Sequence, residues 1–208
     1  MSADGPGFCP GFFLPGRRQG VHVQTKKILV AITGASGMIF ARSFLRLLAA
    51  AGRPADGICS EAGRQVLAHE LAAAPEDLPG AERWFSPDDL ASPPASGSSG
   101  YLAMVILPCT MGTLAAIAGG QSRNLIHRAA DVMLKERRPL LLATRETPLN
   151  RIHLENMLRA HDAGATICPP LPGFYLHPET LEEAADTFSW RLADMLGIDI
   201  ANRVRWGD

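Results

Sequence analysis

Residues 27–48 constrain this chain more than any other stretch. A buried strand, Ile28 to Ile32, runs into a small-residue turn, Thr33-Gly-Ala-Ser-Gly37. A helix follows, with Ile39, Phe40, Phe44, Leu47 and Leu48 at helical spacing. A strand feeding a small-residue turn and a helix N-terminus is an anion site: unpaired N–H groups and the positive end of the helix dipole converge there. The turn therefore predicts a ligand that carries phosphate. It reads Gly-Ala-Ser-Gly, however, and not the Gly-x-Gly-x-x-Gly of dinucleotide folds. A tight corner with no ligand is the other reading of such a turn.

From Lys27 onward, strands and helices alternate, the pattern of a parallel sheet covered on both faces. Strands are expected at Lys27–Ile32, Ala55–Ser60, Ala103–Pro108, Pro139–Thr144 and Thr166–Cys168, with a short one near Trp84. Helices are expected over Ser36–Ala51, Glu61–Leu71, from the turn after Cys109 to about Gly119, Asn124–Lys135, His153–Ala163 and Pro178–Leu196. The fold class is α/β: a single Rossmann-like domain over residues 26–208, its parallel sheet flanked by helices on both faces. A length of 208 residues suits one such domain. Residues 1–25 are rich in Gly and Pro without periodicity and read as a flexible extension, or as the product of a wrongly chosen start codon.

Composition narrows the classes of function. A formal net charge of −1 gives no electrostatic reason to expect nucleic acid. No run of about 18 apolar residues occurs, which argues against a membrane span. Cys9, Cys59, Cys109 and Cys168 are scattered with no CxxC pair, which argues against zinc and against a disulfide framework. A cytoplasmic setting and no bound metal are the expectations.

Ligands of open α/β sheets bind beyond the C-terminal ends of the strands. Gly34–Gly37, Cys109–Thr113 and Arg145-Glu-Thr147 all fall there, gathering glycines, hydroxyls, an arginine and a carboxylate around one crevice.

The segments Thr33-Gly-Ala-Ser-Gly37, Pro94-Ala-Ser-Gly-Ser98, Leu107-Pro-Cys-Thr110, Arg128-Ala-Ala-Asp-Val-Met-Leu-Lys-Glu-Arg-Arg-Pro139, Arg145-Glu-Thr-Pro148, His153-Leu-Glu-Asn-Met157, Pro172-Gly-Phe-Tyr175 and Arg205-Trp206 come in the order of one known family. Together they resemble the UbiX-type flavin prenyltransferases, within the flavin-containing decarboxylase-like flavoproteins. The resemblance implies a metal-independent transferase that binds reduced FMN as a substrate. A five-carbon unit from dimethylallyl phosphate is joined to N5 and C6 of the flavin, and the prenylated FMN passes to a UbiD-type decarboxylase. Ubiquinone biosynthesis and aromatic acid decarboxylation are the pathways such enzymes serve. The family tends to form homo-oligomers, dodecamers among them, with sites built across subunit borders.

Residue by residue, the resemblance implies flavin contacts at Gly34, Ala35, Ser36, Ser60, Thr110, Met111, Gly112, Thr113 and Arg145. Ser36, Glu70 and Glu146 would handle protons. Lys135, Tyr175 and Arg191, with Arg128 and Trp206, would hold the dimethylallyl phosphate. Plainer readings stand beside these. Ser36 and Ser60 suit helix N-caps, and Glu70 a solvated helix-end carboxylate. Arg145 and Glu146 suit a surface ion pair, and Lys135 a solvated basic face. Arg128 suits an anchor for its own helix, and Trp206 a tail docked on the domain. Glu61 departs from the family, where lysine is common, so it either points to solvent or signals a different local geometry.

Two alternatives share the flavin site: an FMN-dependent cysteine decarboxylase and a non-catalytic flavin-binding module. The first carries a histidine on the first helix region and a Pro-x-Met-Asn-type segment. This chain has no histidine there and reads Pro169-Pro-Leu-Pro-Gly-Phe-Tyr175 late in the sequence.

Overall fold

The computed structural model describes residues 27–200 and 203. The expected N-terminal extension and Trp206 lie outside the described residues. Six strands form one parallel sheet in the order β3-β2-β1-β4-β5-β6: β1 Ile28–Ile32, β2 Ala55–Cys59, β3 Ala81–Phe85, β4 Ala103–Cys109, β5 Leu140–Thr144 and β6 Thr166–Ile167. Every residue of β1, β2, β4 and β5 is buried, as a parallel sheet sandwiched between helices requires. The chain winds outward from β1 to β3, then returns to the centre at β4, so β1 and β4 are neighbours. That reversal is the switch point at which such sheets bind ligands.

The two faces of β1 seed two cores, because successive side chains on a strand point oppositely. Ile28, Val30 and Ile32 pack with Phe44 and Leu48 of α1 (Met38–Ala50), Leu67 of α2 (Glu61–Leu71), and Phe188 and Leu192 of α6 (Leu181–Met195). Leu29 and Ala31 share the other core with Leu114 of α3 (Met111–Ala118), Leu125 and Met133 of α4 (Leu125–Lys135) and Ala160 of α5 (Arg151–Asp162).

Observed boundaries fall within three residues of those expected, and caps explain the shifts. Asn150 accepts a hydrogen bond from the His153 N–H at 2.9 Å and starts α5 at Arg151. Thr180 accepts from the Glu183 N–H at 3.1 Å and starts α6 beyond Pro178. At the N-terminal edge of the sheet, buried Asp56 accepts from Lys27 Nζ at 2.9 Å and from the Tyr101 hydroxyl at 2.7 Å. That network pins the edge opposite the candidate site.

Candidate active site

Hydrogen bonds tie four strand ends together along the C-terminal edge of the sheet. The Ser60 N–H donates to the Ile32 carbonyl at 3.0 Å, joining the end of β2 to that of β1. The Thr33 hydroxyl donates to the Pro108 carbonyl at 2.8 Å and accepts from the Thr110 N–H at 2.9 Å. The Arg145 N–H donates to the Cys109 carbonyl at 3.1 Å. Turns joined by bonds between residues 75 and 77 positions apart thereby become one platform with the other strand ends, as the strand-end positions predicted.

Three helices point their N-termini at this platform, and two are capped by local hydroxyls. Ser60 accepts from the Gly63 N–H at 3.0 Å at the start of α2. Thr110 accepts from the Thr113 N–H at 3.1 Å and donates to the Thr113 hydroxyl at 3.0 Å at the start of α3. The capping reading of Ser60 is therefore met.

The third helix differs. The N-cap of α1 is Gly37, in the left-handed region at φ 111°, with no side-chain cap from its own turn. Glu70, at the far end of α2, supplies the acceptor instead. Its Oε2 receives the Met38 N–H at 2.8 Å and the Gly37 N–H at 3.0 Å, and its Oε1 lies 3.2 Å from the Gly37 nitrogen. Burial raises the Glu70 pKa, but bonds from Met38 N–H, the Ser36 hydroxyl and Gly37 N–H, with the charge of Arg145, outweigh it and hold the carboxyl below its ordinary value. Ser36 is thus a partner of Glu70 and not the N-cap of α1. The anion site read from the first turn exists, and the chain's own carboxylate fills it.

Glycines on the platform differ in their surroundings. A Cβ at Gly34 would lie 2.5 Å from Ala62 Cβ, so the first turn needs glycine to pack on α2. A Cβ at Gly112 would meet nothing nearer than Thr110 Oγ1 at 4.0 Å. The chain's own packing does not demand a small residue at Gly112, which leaves open space beside the start of α3. Met111 is half-buried beside it, and the Ala35 N–H donates back to the Thr33 carbonyl at 2.8 Å. Glu61 is exposed, 3.4 Å from Gln65 Nε2, so the residue that departs from the family faces solvent. Glu146 accepts from the Thr147 N–H at 3.0 Å, and both it and Arg145 are exposed.

The remaining candidates stand on other elements of the chain. Lys135 ends α4 and lines a cavity of about 820 Å³ with Arg137, Arg138, Pro139, Leu141 and Thr166, at the N-terminal ends of β5 and β6. Its ammonium pairs with Glu136 at 2.5 Å. Arg128 donates to the Ala95 carbonyl at 3.1 Å and pairs with Asp131 at 2.7 Å, so it anchors the loop before β4 as well as its own helix. Arg191 is exposed on α6, one turn before Met195, which lines the same cavity as Lys135. Tyr175 lies in a 3-10 turn, Phe174–Leu176, and is 51% exposed. Thr33 is a site-building residue missing from the expected set; its place in the small-residue turn was the available signal, but its bonds to Pro108 and Thr110 span 75 and 77 positions and no local pattern shows them.

Comparison with known proteins bears on the family and the fold. The Flavoprotein family pattern matches residues 17–187. The flavin prenyltransferase UbiX of Methanothermobacter thermautotrophicus is 45% identical over 184 residues, covering 87% of this chain and 95% of the relative. A crystal structure of AnUbiX in complex with FMN and dimethylallyl pyrophosphate superimposes with a TM-score of 0.86 at 38% identity, over 89% of this chain and 99% of that one. A dodecameric FMN-dependent UbiX-like decarboxylase from Escherichia coli O157:H7 gives a TM-score of 0.82 at 35% identity, over 88% of this chain and all of that one (100%).

Proposed function

This chain belongs to the UbiX family of flavin prenyltransferases, and we propose that it joins the dimethylallyl group of dimethylallyl phosphate to N5 and C6 of reduced FMN. The carbon–oxygen bond of the donor breaks and inorganic phosphate leaves. The bond to N5 replaces the N5 hydrogen, whose proton leaves with the phosphate, and the bond to C6 consumes the prenyl double bond, so one prenyl carbon gains a proton while C6 gives one up as the fourth ring closes. Such transfers need a group with a tuned pKa beside the reacting atoms. The observation that carries the reading is Glu70, held by the Gly37 and Met38 N–H groups beside Ser36 at the C-terminal edge of the sheet. A carboxylate kept ionised by a helix N-terminus is equipped to accept a proton.

Ser60, the Thr110–Thr113 turn and the Arg145 guanidinium would seat the flavin, with Gly112 giving the close approach. Arginine offers a planar fork suited to the polar edge of a flavin or to a phosphate. Lys135, Tyr175 and Arg191 would stabilise the phosphate leaving group, since fixed donors and positive charge favour a developing dianion. Glu146 would act beside them. The distance of Lys135 from Glu70 supports a homo-oligomer in which one chain's phosphate-binding residues serve another chain's flavin. The product would pass to a UbiD-type decarboxylase.

Among the described residues no helix is long and apolar enough to cross a membrane, and Cys59, Cys109 and Cys168 are free and buried. Both facts fit an enzyme working in the reducing cytoplasm. A decarboxylase of the cysteine type finds no support, because α1 reads MIFARSFLRLLAA and holds no histidine.

The test is direct. Purified protein is incubated anaerobically with reduced FMN and either dimethylallyl mono- or diphosphate, and the flavin is weighed by mass spectrometry. Gain of one five-carbon unit with release of phosphate is expected; no such product with either donor would refute the assignment.

A further inference from the structure

The flavin-facing turns after β1 and β4 belong to different halves of the sheet, and the side chain that joins them is Thr33. Its hydroxyl is fully used: it donates to the Pro108 carbonyl at 2.8 Å and accepts from the Thr110 N–H at 2.9 Å. Its backbone serves the same purpose, since the Thr33 N–H donates to Pro108 at 3.2 Å and the Thr33 carbonyl receives the Ala35 N–H at 2.8 Å. The residue is 3% exposed, so no water competes for these contacts. Every polar group of Thr33 therefore lies within one of the two turns or across the gap between them.

We propose that Thr33 is a positioning residue for the prenyltransfer reaction, fixing the first turn, with Ser36 and Glu70, relative to the N-terminus of α3. The reasoning begins with Thr110. It is the N-cap of α3, so the direction of its peptide N–H sets where the following N–H groups, of Met111 and Gly112, point. Those two have no partner within the helix, as first-turn donors never do. The Thr110 N–H is committed to Thr33, and beside the next two an added Cβ at Gly112 meets nothing nearer than 4.0 Å. A flavin must touch Ser36 on one turn and these donors on the other. The Thr33 hydroxyl sets the separation it has to span.

Valine at position 33 matches threonine in volume and removes both hydroxyl bonds. The Thr110 N–H must then find another partner, and the turn rotates to do so. The Glu70 bonds to Gly37 and Met38 do not involve residue 33, so the effect falls first on flavin affinity. The inference rests on the flavin prenyltransferase reading, and the test separates the two.

Binding of reduced FMN is measured by anaerobic titration well below the melting temperature of each variant. Thr33→Val, which loses both hydroxyl bonds, should weaken binding at least about tenfold, while Thr33→Ser, which keeps the hydroxyl, should stay within about twofold of the parent. Thr33→Cys keeps the volume and a weak acceptor; it should weaken binding about threefold, and it supplies the result if the valine variant fails to fold. A valine or cysteine variant that binds FMN like the parent would overturn the inference, whatever its stability. So would a serine variant as weak as the valine one, because size would then matter and not the hydroxyl. A parent protein that takes up no FMN would overturn the flavin reading, and this inference with it.

Discussion

Replacing Glu70 with glutamine separates what this carboxylate does for the fold from what it does for the reaction. The amide oxygen of glutamine can occupy the place of Oε2 and keep the Met38 contact at 2.8 Å and the Gly37 contact at 3.0 Å. The 3.2 Å approach of Oε1 to Gly37 is lost, because an NH2 group stands there instead, and the Ser36 hydroxyl is left with a neutral amide in place of a carboxylate. What disappears is the charge at the helix N-terminus, worth about 0.3–1 kcal/mol and near the lower limit for a side chain as exposed as this one. For a chain of this size that is a fall in melting temperature of about 1–3 °C. The effect on turnover is of a different order. Loss of a positioned acid–base group costs about 10²- to 10⁴-fold, or at least about 2.7 kcal/mol in the barrier.

Glu70→Gln should therefore bind reduced FMN like the parent, melt within a few degrees of it, and form prenylated flavin at least about 100-fold more slowly. Anaerobic product formation followed by mass, with thermal melting alongside, checks all three. Parent-like turnover would remove the proton-handling role. The pH dependence has a definite sign. The folded pKa is lowered, so the stabilisation from Glu70 is full above its ordinary value of 4.5 and is lost as pH falls through the lower folded value. Between about pH 6 and 8 the group stays ionised, and no change in rate across that window should vanish in the glutamine variant.

Two further substitutions probe the frame around the site. Gly34→Ala places a Cβ 2.5 Å from Ala62 Cβ; overpacking of this kind costs about 1–3 kcal/mol, and adding Ala62→Gly should restore most of the lost melting temperature and flavin binding. No recovery in the double variant would mean that Gly34 is required by the ligand and not by α2. Asp56→Asn at the opposite edge sets an amide against either Lys27 or the Tyr101 hydroxyl, at a cost of about 1–3 kcal/mol. It should lower the melting temperature by several degrees while the prenylation rate at assay temperature is unchanged; a loss of rate in the folded protein would contradict the division of the sheet into a pinned edge and a working edge.

The sheet was legible because its central strands are apolar throughout: ILVAI, AMVILPC and LLLAT leave no face for water. The edge strand β3, AERWF, gave a weaker signal, since Glu82 and Arg83 are exposed and only Phe85 is fully buried. Hydroxyl and amide caps at Ser60, Thr110, Asn150 and Thr180 follow from local preference and were within reach of sequence reasoning. The cap of α1 was not. Glu70 meets Gly37 across 33 positions of chain, and no local pattern links an α2 glutamate to the first turn. Spacing made the turn an anion site in general terms, and the tertiary contact decided which anion occupies it. On α5 the apolar pattern read as a helix, correctly, yet Ile152, Leu154 and Leu158 are 54–66% exposed. Periodicity identifies a helix but does not say whether its apolar side chains face this chain's core or another molecule.

The two groups of candidate residues are separated by the sheet itself. Glu70 and Ser36 lie beyond the C-terminal strand ends, whereas Lys135 lies beside Pro139 and Thr166 at the strand starts. The five residues of β5 alone span about 16 Å, and a lysine side chain reaches less than half of that. One chain therefore does not bring its Lys135 to its own Glu70, and under the proposed function the two residues come from different chains. The consequence can be measured by complementation. Glu70→Gln and Lys135→Met chains, each inactive alone, are co-expressed so that mixed oligomers assemble. A site built from the intact Glu70 of one chain and the intact Lys135 of another then arises with a probability of about one quarter under random mixing, and about a quarter of parental activity should return. Mixed oligomers no more active than their parts would show that Lys135 does not complete a neighbour's site.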